Sequence, residues 1–247
     1  MVRCIGVVLA GGEGARFGGG IPKQFVTVAG KTILEHTVDL FEHSDAIDEV
    51  AIVMHPQYIN SVEKLILGNC WRKVTKILPG GEQRRQSTLA AVNAYDCDLD
   101  LDHCSNHAHD NDTLIFHDAA RPLLNPGVLL TVKMYLDGYD AVNVVVPATD
   151  TILVSDAAGS VVEYVPDRSR VYHTQTPQAF RLGVIRKAYE IALRDPDFNS
   201  TDDCGVVAKY LPGVPVKLVM GNRENIKLTY PEDLEFIKRV LMLRASK

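Results

Sequence analysis

Five cations and one carboxylate set the chemistry open to this chain. Arg16 and Lys23 lie seven positions apart near the N-terminus, Arg121 follows Asp118 by three, and Arg168 and Lys227 come from later segments. No Ser, His and acidic residues form a plausible nucleophilic set, and no cysteine sits in a reactive setting. Many cations with one carboxylate suit phosphoryl or nucleotidyl transfer, which needs positioning and charge neutralisation more than a protein nucleophile. When both substrates carry phosphate, an oxyanion of one attacks the α-phosphorus of the other and no strong base is required. Asp118 suits Mg2+, which takes a few hard carboxylate oxygens and completes its shell with water and substrate phosphates. Arg121 suits a second phosphate. The plainer alternative for the two is a structural Asp–Arg pair at a strand end.

These side chains need elements to present them. Residues 5–25 read IGVVLAGGEGARFGGGIPKQF. Ile5–Leu9 is a short apolar, β-branched run and predicts a buried strand. The small residues after it let the backbone turn tightly and approach a ligand, and free N–H groups beside cations receive a polyphosphate. Two phosphate templates fail here. A dinucleotide fingerprint from Gly12 needs glycine where Phe17 stands, and a Walker loop ending Gly30-Lys31-Thr32 needs glycine where Phe25 stands. The stretch therefore reads as a phosphate loop of another kind; an ordinary glycine-rich turn would not need two spaced cations.

Further along, helical spacing over 32–41, 57–67, 87–95, 126–136, 182–194 and 231–243 alternates with strand-like runs at 49–54, 73–78, 113–116, 141–147 and 214–219. That alternation predicts an α/β fold with a Rossmann-like, mainly parallel sheet flanked by helices. Pro79–Ser87 forms a second glycine-plus-arginine loop, and His117-Asp118-Ala119-Ala120-Arg121-Pro122 follows a strand at the end where open α/β sheets bind ligands. From 148 to 172 the helical rhythm stops. Short β-like runs at 151–154 and 161–165 predict a projecting hairpin arm, which needs something to pack against. A partner subunit is the simplest candidate. Thr174–Phe180 reads as a polar run returning toward the site, and Thr201 as the cap of a following helix. Pro231 suits the first position of the closing helix, and Glu232 and Asp233 suit its positive end.

Residues 96–112, DCDLDLDHCSNHAHDND, interrupt the pattern. They fit no calcium loop, because Leu101 stands where glycine is required. Cys97, His103, Cys104, His107 and His109 lack the paired spacing of a zinc site, so the segment reads as a solvated surface loop.

The 247 residues are expected to form a single domain with the arm attached. The formal charge of −5 gives no reason to expect nucleic-acid binding. No apolar run approaches the roughly 18 residues that span a membrane. The N-terminus lacks a signal-peptide pattern, and five irregularly spaced cysteines fit reduced thiols, so a cytoplasmic location is expected.

Taken together, LAGGEGARFGGGIPKQF, PGGEQRRQS, HDAARP, DTI, PDRS, QTPQAF, TDD and NIKLTYPEDL resemble, in order and over nearly the whole chain, the cytidylyltransferases that activate sugar-alcohol phosphates. The combination is specific although each piece alone is weak. The resemblance implies a nucleotidyltransferase fold, transfer of CMP from CTP with loss of pyrophosphate, a divalent cation such as Mg2+ at Asp118, and a homodimer in which the arm completes the neighbouring site. It implies that Arg16, Lys23 and Lys227 act at the reacting phosphates. Ala10, Gly11, Gly12, Gly81 and Ser87 would read the cytosine, with Asp118 by the ribose. Arg121, Thr151, Arg168 and Thr176 would hold the polyol phosphate.

Two branches compete for the acceptor. Methylerythritol-phosphate enzymes, which serve isoprenoid precursor synthesis, often carry lysine after DTI, where this chain has Leu153. PDRSRVYHTQTPQAF and DPDFNSTDDCGVVAKYLP look more like the ribitol branch and its cell-wall-polymer relatives. D-ribitol 5-phosphate is therefore the expected acceptor, with 2-C-methyl-D-erythritol 4-phosphate the alternative. A sugar-1-phosphate nucleotidyltransferase would not be expected to show HDAARP and QTPQ together. A non-catalytic nucleotide-binding protein would have less reason to keep the cations and Asp118.

Overall fold

A computed structural model of the chain describes residues 2–12, 21–96 and 109–245. Arg16, Cys97, His103, Cys104 and His107 lie outside the described residues.

The frame is a seven-stranded sheet. Its strands are β1 (Cys4–Ala10), β4 (Glu49–Met54), β5 (Val74–Pro79), β6 (Thr113–Asp118), β7 (Ala141–Pro147), β10 (Tyr172–Arg181) and β11 (Val216–Met220). They lie in the order β11-β7-β10-β6-β1-β4-β5. All neighbours run parallel except β10, which is antiparallel to both β6 and β7. The mainly parallel sheet expected from the alternation is present, with this one reversed strand inside it.

β1 is buried because both of its faces are covered. Val8 packs with Leu34, Val38, Phe41 and Leu129 of α1 (Ile33–Glu42) and α4 (Pro126–Tyr135). Val7 faces the other layer, among Val92, Tyr95, Ile185 and Val206 of α3 (Arg84–Asp96), α5 (Leu182–Ala192) and α6 (Asp203–Tyr210). Gly6 lets α1 come close, since a Cβ there would stand 2.3 Å from Cδ1 of Phe41. α2 (Ile59–Asn69) joins the first layer through Val62. A third cluster joins Val28, Ile33, Leu123 and Leu228 to Ile237 of α7 (Pro231–Ala245).

Local chemistry fixes the helix starts. Thr32 and Glu35 form a reciprocal capping box on α1. Asn125 caps α4, with Pro126 in its first turn. Asp202, not Thr201, caps α6, its carboxylate accepting the Gly205 N–H at 3.0 Å. A carboxylate there also meets the positive end of the helix.

Two small hairpins complete the fold. β2 (Thr27–Val28) and β3 (Lys31–Thr32) join through Ala29 and Gly30, whose φ values of 48° and 85° match a tight two-residue turn. In the arm, β8 (Val154–Ser155) pairs with β9 (Val162–Tyr164), a shorter ladder than the runs at 151–154 and 161–165 suggest. Asp156 holds its turn by accepting from the Ser160 and Val161 N–H groups.

The polar run Thr174–Phe180 is not a loop. It belongs to β10, in the middle of the sheet. Proline disfavours a central strand because it lacks an N–H. Here the register shifts between Thr174 and Gln178, across a cis Thr176–Pro177 bond, and pairing resumes beyond it.

Candidate active site

At the C-terminal ends of β1 and β6 lies a pocket of about 150 Å3. Ala10, Gly11 and Gly12 form one wall, Gly81 and Ser87 another, and Lys23, Asp118 and Lys227 also line it. The walls touch because they lack side-chain bulk. A Cβ on Gly11 would come within 2.9 Å of Oγ of Ser87, and one on Gly80 within 3.0 Å of the same atom. Gln24 ties the far side of the opening loop back, its amide donating to the Ala10 carbonyl at 3.0 Å.

Asp118 is the electrostatic centre, at the end of β6 and only 6% exposed. Its Oδ1 accepts from Nη1 of Arg84 at 2.6 Å. Its Oδ2 meets Nε of Arg121 at 3.3 Å and Nζ of Lys227 at 3.0 Å. Burial pushes the carboxyl up, but Arg84, Lys227 and Arg121 outweigh burial and hold it well below the usual carboxylate range. Asp118 is therefore an anion at any working pH.

The loop before α7 is braced by the same group. Arg121 donates through Nη1 to the carbonyl of Asn225 at 2.8 Å, and Nδ2 of Asn225 donates to the carbonyl of Thr176 at 2.9 Å. Nζ of Lys23 donates to the carbonyl of Leu228 at 2.8 Å. The Leu228 N–H in turn reaches the carbonyl of Ala120. Lys23 and Lys227 thus stand on one braced frame, although 204 positions separate them in the chain.

Buried His117 sets the polarity beneath Asp118. Burial lowers its pKa to about 4, so the ring is neutral near pH 7. Its Nε2 lies 3.0 Å from the Arg121 carbonyl, which only accepts, so Nε2 carries the proton. Nδ1 then accepts from the Thr176 hydroxyl at 3.0 Å, and that hydroxyl accepts the Asp118 N–H at 3.1 Å. Thr176 is buried and its hydroxyl is engaged with Asp118 and His117, behind the pocket wall.

The structure gathers the residues expected at CTP more closely than those expected at the polyol phosphate. Arg121 and Thr176 touch Asp118, but Thr151 and Arg168 do not line the pocket. Both are exposed, and Nη1 of Arg168 donates to the Thr149 carbonyl at 3.4 Å. Sequence reasoning gave no role to Arg84, Gln24 or Asp203. Arg84 stands inside PGGEQRRQS and Asp203 inside TDD, but adjacent Arg84 and Arg85, or Asp202 and Asp203, look equivalent until the fold turns one of each pair inward.

Among the described residues no cluster of three or more His, Cys, Asp or Glu is placed to hold a metal. Asp118, the carboxylate expected to hold Mg2+, is engaged through both oxygens with Arg84, Arg121 and Lys227.

The order of the glycine loops, the Asp118 cluster and the strand order invite comparison with known proteins. The family described as IspD, 2-C-methyl-D-erythritol 4-phosphate cytidylyltransferase, matches residues 4–242. The chain belongs to this family. It is a cytidylyltransferase, a nucleotidyltransferase enzyme. A 2-C-methyl-D-erythritol 4-phosphate cytidylyltransferase of Thermobifida fusca is 44% identical over 97% of this chain and 93% of its own. The bifunctional ribulose 5-phosphate reductase/CDP-ribitol pyrophosphorylase Bcs1 of Haemophilus influenzae is 39% identical over 98% of this chain but only 48% of its own length. A crystal structure of 4-diphosphocytidyl-2C-methyl-D-erythritol synthase from Anaerococcus prevotii superposes with a TM-score of 0.80 at 26% identity, covering 98% of this cytidylyltransferase and 99% of that chain. These relatives favour the methylerythritol branch over the expected ribitol branch. The family and the T. fusca relative both carry the methylerythritol name, so the alternative acceptor is better supported than the ribitol phosphate expected from PDRSRVYHTQTPQAF.

Proposed function

We propose that this cytidylyltransferase transfers CMP from CTP to 2-C-methyl-D-erythritol 4-phosphate. A phosphate oxygen of the acceptor bonds to the α-phosphorus, the bond from that phosphorus to the β-phosphate bridging oxygen breaks, and pyrophosphate leaves. The observation that carries the reading is Asp118, held ionised among Arg84, Arg121 and Lys227 at the mouth of two glycine turns.

The pocket's chemistry supports distinct jobs. Gly11, Gly12, Gly81 and Ser87 leave a slot suited to a flat pyrimidine, with backbone groups to read its edge. Lys23 and Lys227 supply positive charge where charge builds on the transferring phosphate, and Arg16 is assigned the same work. Asp118 with the triphosphate would hold Mg2+, which when bound neutralises phosphate charge. Arg121 assists at the acceptor phosphate, and Thr176 holds Asp118 in place. Thr151 and Arg168 reach an acceptor phosphate once the arm, residues 148–172, packs against a second copy of the chain. In this reading the chain works as one domain and its arm as the dimer contact.

Pyrophosphate release from CTP, measured with each polyol phosphate in turn, tests the proposal. Release with 2-C-methyl-D-erythritol 4-phosphate is the expected result. Release only with D-ribitol 5-phosphate, the acceptor that would give the CDP-ribitol in the name of Bcs1, would return the acceptor to the ribitol branch. Silence with both would sink the acceptor assignment altogether.

A further inference from the structure

Arg84 lines the pocket and looks, by its place, like a hand for a phosphate. Its bonds say otherwise. Nε and Nη2 both donate to Oδ2 of Asp203, at 3.1 and 2.9 Å, while Nη1 donates to Oδ1 of Asp118. The other oxygen of Asp203 accepts from the hydroxyls of Thr88 at 2.8 Å and Tyr189 at 2.7 Å. The Asp203 N–H donates to Oε1 of Gln178 on β10. Asp203 is wholly buried, its carboxylate oxygens are engaged, and Arg84 spans two acids.

We propose that Arg84 and Asp203 form a strut that positions Asp118 for CTP turnover without touching substrate. The inference rests on the reading of the Asp118 pocket as the CTP site. The strut divides the work of the Asp118 carboxylate. Oδ1 is pinned by Arg84, so Oδ2 is the oxygen turned toward Arg121 and Lys227. Lys227 is the most exposed of the three cations, its side chain 40% accessible against 22% for Arg84 and 14% for Arg121. With Arg84 and Arg121 already neutralising Asp118, Lys227 is free to turn toward a triphosphate. Without the strut, both Asp118 oxygens compete for Lys227. Arg84 also opens α3, so the strut fixes the Gly81–Ser87 wall against β6 and α6.

Arg84→Met alone leaves Asp203 buried without its cation, and such a change often unfolds a protein. The informative variants are Asp203→Asn and the double variant Arg84→Met/Asp203→Asn, which removes both charges together. Steady-state pyrophosphate release is measured against CTP and against 2-C-methyl-D-erythritol 4-phosphate, alongside thermal melts. The double variant should lose at least 10-fold in kcat/KM for CTP, with KM for the acceptor within about 2-fold and a melting temperature close to wild type. Asp203→Asn should lose nearly as much, because either change breaks the same strut. Calorimetric titration with CTP alone judges the strut independently of any acceptor. At least 5-fold weaker CTP binding by the double variant supports it even if no acceptor is turned over, which would fail only the acceptor reading. Unchanged CTP kinetics and binding in the double variant would overturn the strut. So would equal losses for both substrates with a matching fall in melting temperature, or a wild-type protein that does not bind CTP.

Discussion

Asp118 is buried against three cations, whereas Arg168 lies exposed and donates one long hydrogen bond, to Thr149. The two belong to regions built differently. Around Asp118, bonds run between β6, α3, α6, β10 and the loop before α7. Along the arm, Leu153, Val161, Val162, Tyr164 and Val165 are each at least 53% exposed. One chain suffices to fix the charges around Asp118, and preorganised charge of that kind is the largest single source of catalysis in many enzymes. The arm exposes apolar surface, and its hydrogen bonds at Asp156 and Asp167 are local to its own turns.

The largest expected break of this contrast is Lys23→Ala. It should cut turnover about 10²–10³-fold while the melting temperature moves by only a few degrees, measured by pyrophosphate release and calorimetry. Unchanged turnover would make the opening loop a structural turn. Arg168→Ala should raise KM for the polyol phosphate about 10-fold or more, the scale of a lost charged hydrogen bond, with KM for CTP nearly unchanged. Equal losses for both substrates would erase the division between pocket and arm.

A smaller effect separates the regions by acid. His117 is neutral in the fold because burial lowers its pKa from 6.5 to about 4, while the unfolded chain protonates at the ordinary value. The sign follows: its contribution is complete above about pH 6.5, is lost as pH falls toward 4, and amounts to about 3 kcal/mol. Comparing pH-dependent melts of wild type and His117→Gln isolates it, and the variant should show the shallower acid loss. The smallest effect is on the arm. Tyr164→Asp should shift the chain from dimer to monomer in light scattering, yet change the monomer's own stability by no more than about 0.5 kcal/mol. A wild-type chain that is already monomeric would remove the arm's proposed partner.

Much of the pocket was legible in the sequence because its signals are local. The run before Gly11 is apolar and β-branched, and Asp118 and Arg121 sit together directly after a strand. β10 was not legible. Its side chains are polar because they bond across the sheet: Gln178 to Asn143 and Asp202, Thr176 to His117, Gln175 to the Asn222 carbonyl. A strand whose polar groups are satisfied by partners far along the chain carries no alternating pattern to read. Arg84 and Asp203 were hidden for the same reason, 119 positions apart and joined only by the fold. The acceptor was the least legible part, because Leu153 and the arm motifs lie on an exposed segment, where residue identity is least constrained by packing.

The reversed direction of β10 has a consequence for how such an enzyme changes. Because β7 and β10 are antiparallel neighbours, the chain that joins them leaves and re-enters at the same rim of the sheet, the rim that carries the pocket. Its two ends are clamped there, Pro147 opposite Tyr172 and the Ala148 N–H on the Val171 carbonyl at 3.0 Å. A parallel neighbour would have required a crossover to the far rim and back. Everything between the clamps is thus a cassette. It can lengthen, shorten or exchange its sequence without shifting the register of any strand. In the proposed arrangement, new acceptors can be tried at the rim while the Asp118 cluster stays where it is.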